Sequence, residues 1–201
     1  MIDDKDISDS TLRLIVWKAL QRYSTAKLIA LLPDHDPIVR TSSAKQLHLR
    51  GTKAVFRAAA ELCEQESDDL REIGVFLLGQ LGTPQRPFRR ESIPIASNLL
   101  MNDSSHEVRA AAAAALGHLG ATETSHELIQ VAGDSSPEVR ACIAFALGAM
   151  KPSQEIDNVL RSLSHDQDGE VREWAELSLE ILQQKSLRKY RLRRSHHRIK
   201  E

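Results

Sequence analysis

The sequence predicts an all-α fold: a right-handed α-solenoid of about five two-helix repeats behind an N-terminal cap helix. Three observations carry this. Aromatic residues are only 4% of the 201-residue chain and Gly and Pro are few, a composition that leans away from a β-sandwich. Five arginines, Arg40, Arg71, Arg109, Arg140 and Arg172, stand in one register at spacings of 31, 38, 31 and 32 residues. Around each of them apolar residues recur at helical period. A fixed period of this length marks stacked repeats, each too small to bury its apolar face alone.

Residues 9–22, DSTLRLIVWKALQR, read as the cap helix. The first helices of the five repeats fall at roughly 24–32, 53–64, 91–101, 124–132 and 154–163. The second helices carry the arginine register. Four residues before each arginine stand Asp36, Ser67, Ser105, Ser136 and Asp168, all preferred N-caps. Pro37 and Pro137 follow at the first helical position, where a missing N–H costs nothing. Asp69, Glu107, Glu138 and Glu170 place acids in the first turn, against the positive end of the dipole. Val39, Leu70, Val108, Val139 and Val171 precede the arginines, and Leu47, Leu78, Leu116, Leu147 and Leu179 lie seven residues after them. These columns form the core stripe. Gly51, Gly82 and Gly120 read as helix stops. The longer spacing in the third repeat comes from TPQRPFRR, a Pro- and Arg-rich loop.

The resulting boundaries are a repeat body over 1–182, with repeats at about 24–52, 53–83, 91–121, 122–151 and 154–182, and a basic tail over 183–201. An arginine in the second turn sits near the positive helix end and requires an anionic partner. Six residues before the arginines stand Asp34, Asp103, Asp134 and Asp166, with Gln65 in the remaining place. The expectation is an Asp–Arg ladder from repeat to repeat that fixes register, weakened at Gln65.

This pattern resembles the HEAT repeat, in the short bacterial form associated with phycobilisome lyases. The matches to DxxPxVRxxAxxALG run from Asp34 to Leu47, Asp103 to Gly117 and Asp134 to Gly148. Asp166 to Leu179 departs from it at Glu176 and Glu180, and Gln65 to Gly79 lacks the aspartate. A narrower likeness rests on LIALLPDHDPIVRTSSAKQLHLRG and LREIGVFLLGQLG, which resemble HEAT proteins encoded beside Rhs-type polymorphic toxins. That likeness implies an immunity or accessory role; the lyase likeness implies, as an alternative, a chaperone of phycobilin attachment.

In such a solenoid the second helices line the concave face. Positions one, two, five and nine after each arginine point away from the core centre. On the central helix, with its run Ala110 to Ala115, these are Ala110, Ala111, Ala114 and His118, a shallow floor. Ile73, Phe76 and Gln80 stand on one side; Ala141, Cys142, Phe145 and Ala149, then Trp174, Leu177 and Ile181, stand on the other. The expected partner-binding residues are Ile73, Phe76, Gln80, Ala114, His118, Phe145 and Trp174. Aromatics in a groove are typical anchors for a protein partner, here with a toxin or effector as the specific version.

No Gly-rich phosphate loop, nucleophile elbow or paired-carboxylate motif is visible, and no His or Cys pair has ligand spacing on one helix. The expectation is a non-enzymatic protein with no metal and no cofactor. Two cysteines, Cys63 and Cys142, fit a reducing compartment, no apolar run reaches membrane-span length and the acidic start MIDDKDISDS is not a secretory signal. These features together read as cytoplasmic. The overall charge of −1 hides an asymmetry: residues 1–184 carry 19 basic and 27 acidic side chains, a net of −8, whereas the tail is +7. Arg188, Lys189, Arg191, Arg193 and Arg194 are accordingly the alternative contacts, to nucleic-acid phosphates.

Overall fold

The computed structural model describes the backbone of residues 9–198 and the side chains of residues 10–187. Among the described residues every regular element is a helix, so the all-α repeat expectation is borne out. In chain order they are α1 (Asp9–Leu20), α2 (Thr25–Ala30), α3 (Pro37–His48), α4 (Lys53–Leu62), α5 (Asp68–Gln80), α6 (Arg89–Asn102), α7 (His106–Leu119), α8 (Ser125–Gln130), α9 (Pro137–Ala149), α10 (Gln154–Leu163) and α11 (Gly169–Arg198). A 3₁₀ turn over Thr122–Thr124 leads into α8. The chain divides into two compact units, Met1–Ser92 and Ile93–Glu201.

In the first unit α3 packs against α1, α2 and α5, and α4 packs against α5. In the second unit α9 packs against both α7 and α11, while α10 contacts α11 and α9. Each core is the column of residues around the register arginine. Val108, Val139 and Val171 are sealed from solvent, as are Ala112, Ala144, Ala175 and Leu47, Leu78, Leu116, Leu147. Burying each valine or leucine contributes about 1.5–3 kcal/mol, and each alanine less. Val39, Leu70 and Leu179 are only half-buried.

The alanine run has a packing reason. Gly117 of α7 lies so close to α9 that a Cβ there would sit 2.9 Å from the Ala146 Cα. Gly148 of α9 stands equally close to α11, where an added Cβ would meet the Ser178 Cβ at 2.8 Å. Backbones can approach this far only where side chains are small. This corrects one part of the groove expectation. Ala110, one residue after its register arginine, is 2% exposed and is core rather than floor; Ala141, at the same position in the next repeat, is 4% exposed and only edges the groove. Ser42, two residues after Arg40, is also buried. The physical reason is geometric: α9 is flanked by α7 and α11, so less of its circumference is free than one helical wheel predicts.

The five register arginines make one repeated arrangement. Each Nη1 donates to the two loop carbonyls five and six residues back: Asp34 and His35, Gln65 and Glu66, Asp103 and Ser104, Asp134 and Ser135, Asp166 and Gln167. The guanidinium thereby satisfies carbonyls of the interhelical turn that have no helical partner. In Arg40, Arg109 and Arg140 the other edge reaches the next repeat. Arg109 holds Asp134 through Nε at 2.8 Å and Nη2 at 3.0 Å. Arg140 holds Asp166 through the same two nitrogens, both at 2.8 Å. Arg40 reaches Asp69 at 2.8 Å by Nη2 alone. The aspartates also brace their own turns, because Asp34, Asp103, Asp134 and Asp166 each accept the N–H of the cap residue two positions on.

Not every cap position uses its side chain. Asp36, Ser105 and Asp168 accept N–H groups of the first turn. Ser67 and Ser136 occupy the N-cap without a side-chain cap bond. Gly51, Gly82 and Gly120 follow their helices with φ of +56°, +66° and +58°, the left-handed conformation that ends a helix at little cost for glycine.

Candidate functional site

In the second unit, three consecutive second helices each place one ring on the same exposed face. His118 comes from α7, Phe145 from α9 and Trp174 from α11. Their order follows from the register, since 118 and 145 are nine and five residues after their arginines and 174 is two after its own. Phe145 meets His118 edge-on at 5.1 Å between ring centres and meets Trp174 edge-on at 5.3 Å. Edge-to-face pairs at this separation are favourable beyond the area they bury. All three rings remain partly open to solvent.

The rings and Ala114 line a depression of about 580 Å³. Its other walls come from the first half of α9, with Pro137, Glu138, Ala141 and Cys142, and from the start of α11, with Glu170 and the preceding Asp168. That volume is typical of a ligand-sized site. Trp174 and Glu170 also border a second depression of about 530 Å³ with Gly169, Glu173 and Leu177. Burial, reinforced by the charges of Glu138 and Glu170, pushes the Cys142 thiol up to about 11. Cys142 is therefore a protonated, unreactive group at neutral pH rather than a nucleophile. Cys63, buried in the first unit, is pushed up to about 12 for the same reason.

Of the sequence-predicted contact residues, Ala114, His118, Phe145 and Trp174 come together at this depression. Ile73, Phe76 and Gln80 lie on α5 in the first unit, where all three are half-buried. There the Phe76 ring meets His48 edge-on at 6.4 Å. Leu177 and Ile181, farther along α11, are 45% and 37% exposed. Glu138, Asp168 and Glu170 lie outside the predicted set, whereas Cys142 stands among the groove-facing positions without being a predicted contact. In the sequence the acids look only like caps and first-turn charges; the signal that could have found them is that the same turns recur beside the aromatic column.

The ladder residues form a separate, structural set. Asp134 and Asp166 are held below the ordinary carboxylate range. For Asp134, burial works in the opposite direction and is outweighed by hydrogen bonds from Arg109 and from the Ser136 N–H. For Asp166 the hydrogen bonds from Arg140 lead. Gln65 offers Arg71 only its carbonyl, and Asp69 takes the place of the missing acid beside Arg40. Arg172, on the last helix, holds its own turn.

The backbone of α11 stays helical to Arg198. The side chains of Arg188, Lys189, Arg191, Arg193 and Arg194 lie outside the described ones. Just before them Lys185 folds back: its ammonium donates to the Gly148 carbonyl at 2.8 Å and the Met150 carbonyl at 3.2 Å, closing the C-terminal end of α9. Among the described residues no helix is long and apolar enough to cross a membrane.

Comparison with known proteins agrees with this architecture. Residues 93–180 match the family of HEAT repeats, which bears out the HEAT-repeat resemblance over that stretch. Over 97 residues, 48% of this chain, it is 34% identical to protein YibA of Escherichia coli K12, and the same holds for YibA of the O157:H7 strain. The chain spans about a third of the length of these curated relatives, 34%. The X-ray structure of E. coli YibA superposes with a TM-score of 0.73 at 29% identity, covering 89% of this chain and 65% of that one. The CpcE and CpcF complex of phycocyanin lyase from Nostoc gives 0.65 at 21% identity over 83% of this chain and 67% of the other. A designed armadillo repeat protein in complex with peptide (KR)4 gives 0.56 at 16% identity, covering 85% and 86%. The last two likenesses are of fold.

Proposed function

We propose that this chain is a non-enzymatic protein-binding scaffold that receives its partner on the exposed face of the second helices. The observation that carries the reading is the row His118, Phe145 and Trp174, three half-exposed rings from three consecutive second helices around one depression. Rigid rings on such a platform supply contact area at low entropic cost, the usual property of interface anchors. Ile73, Phe76 and Gln80 hold equivalent register positions on α5 and extend the same assignment to the first unit. The specific version of the reading is a toxin or effector partner, with this chain in an immunity or accessory role in the cytoplasm. A body of net charge −8 suits the masking of a basic protein.

The test is a pull-down from nuclease-treated host lysate at low and high salt. A stoichiometric protein that survives high salt, and is lost in both Phe76→Asp and Phe145→Asp, is the expected result. Recovery of nucleic acid alone, removed by salt and by deleting residues 185–201, would instead make Arg188, Lys189, Arg191, Arg193 and Arg194 the functional element.

A further inference from the structure

The two depressions that share Trp174 differ from an ordinary apolar groove in their charge. Of their lining residues, Glu138, Asp168, Glu170 and Glu173 are acidic, and none is lysine or arginine. The carboxylates stand beside rings: Glu138, Asp168 and Glu170 line the same depression as Phe145 and Trp174, and Glu173 lines the second depression with Trp174. An aromatic face with carboxylates at its margin attracts a cation in two ways at once. The ring quadrupole draws positive charge to its face, and the carboxylates at the rim supply counter-charge. The depressions, of about 580 and 530 Å³, share Trp174 and Glu170 in their lining. Two receptacles that share a ring and a carboxylate fit successive side chains of a polypeptide better than one small molecule.

We infer that the Trp174 site takes a basic peptide segment, with an arginine or lysine side chain seated against Phe145 and Trp174 and countered by Glu138 and Glu170. This rests on the scaffold reading above and specifies the chemistry of its partner there. The feature that decides the class is charge complementarity. An acidic segment would meet four carboxylates with no cation among the lining residues, and a purely apolar one would leave those carboxylates partly desolvated without compensation.

The test uses the full chain carrying Trp17→Phe, so that Trp174 is its only tryptophan. Three eight-residue peptides, alternating Arg-Leu, Ser-Leu and Glu-Leu, are titrated while Trp174 emission is followed at low and high salt. The expected result is a saturable change with Arg-Leu only, weakened by salt, by Phe145→Ala and about tenfold or more by Glu138→Gln combined with Glu170→Gln. Those glutamates are exposed, so their amides preserve the fold and isolate the charge. If Ser-Leu binds as tightly as Arg-Leu and the double glutamine variant changes nothing, the cationic assignment is overturned while the scaffold reading stands. If Arg-Leu binds with unchanged Trp174 emission, it is held by the general acidity of the body and the site assignment falls. If none of the peptides alters Trp174, both the assignment and the use of this face as a docking surface are overturned.

Discussion

Replacing Gly117 by alanine sets two effects of similar size against each other. Helix propensity favours the change by about 0.8–1.0 kcal/mol, since glycine is the poorest ordinary helix former. Packing opposes it. The new Cβ would lie 2.9 Å from both the Ala146 Cα and the Phe145 Cε1, and 3.1 Å from the Ala146 Cβ. Carbon atoms rest comfortably at about 3.5–4.0 Å, so α7 and α9 would have to separate by several tenths of an ångström. Overpacking of this kind costs about 1–3 kcal/mol. The net expectation is a loss of about 1 kcal/mol, within a range of about 0–2. Two other glycines serve as references. Gly133 has open space around it and an ordinary φ, so Gly133→Ala should stabilise by about 0.4–1 kcal/mol. Gly120 also has open space but holds φ at +58°, so Gly120→Ala should cost about 1–2 kcal/mol through the backbone alone. Urea unfolding followed by far-ultraviolet circular dichroism reads all three as midpoint changes at constant slope. A Gly117→Ala protein that is stabilised as much as Gly133→Ala would refute the claim that α7 and α9 are in backbone-limited contact.

The two kinds of arginine rung should differ in the same assay. Asp166→Asn leaves a largely buried guanidinium without its counter-charge and should cost about 2 kcal/mol, whereas Asp69→Asn, with a side chain 60% exposed, should cost under about 1 kcal/mol; equal costs would contradict the burial argument. Because Asp134 and Asp166 titrate below their unfolded value of about 3.9, their stabilisation is complete above that pH and disappears as pH falls through the lower folded values. Unfolding midpoints measured from pH 6 down to pH 2 should therefore drop steeply below about pH 4, and less steeply in Asp166→Asn. Lys185→Met leaves the Gly148 and Met150 carbonyls without their ammonium donor and should cost about 1–2 kcal/mol, seen as a melting temperature lower by about 2–8 °C; an unchanged melting curve would show the contact to be incidental.

Much of the fold was legible because each repeat writes the same local physics. N-cap, first-turn acid, valine, arginine and leucine recur at fixed offsets, and each is readable from propensity and period alone. The ladder partners were legible where the repeat is regular, as in Arg109 with Asp134, because a constant period brings a constant offset into contact. Where the period carries a different residue the outcome was set in three dimensions: with Gln65 in the aspartate place, Arg40 turns to Asp69, an acid that the sequence presents only as a first-turn charge. The arginine's grip on two turn carbonyls was equally hidden, since backbone acceptors leave no mark in a sequence.

The site divides in the same way. From the sequence by itself come the repeat, its helix pairs, and the column that carries His118, Phe145 and Trp174. The tertiary structure decided which small residues are floor and which are seam. Ala111 and Ala114 keep some exposure while Ala110 vanishes between helices and Ala141 keeps only an edge in the groove, because a helical wheel gives a direction but not the distance of the neighbour that lies there. It also decided that the first-turn acids of α9 and α11 stand against the rings, since residues far apart in the chain become a common wall only when adjacent repeats are stacked.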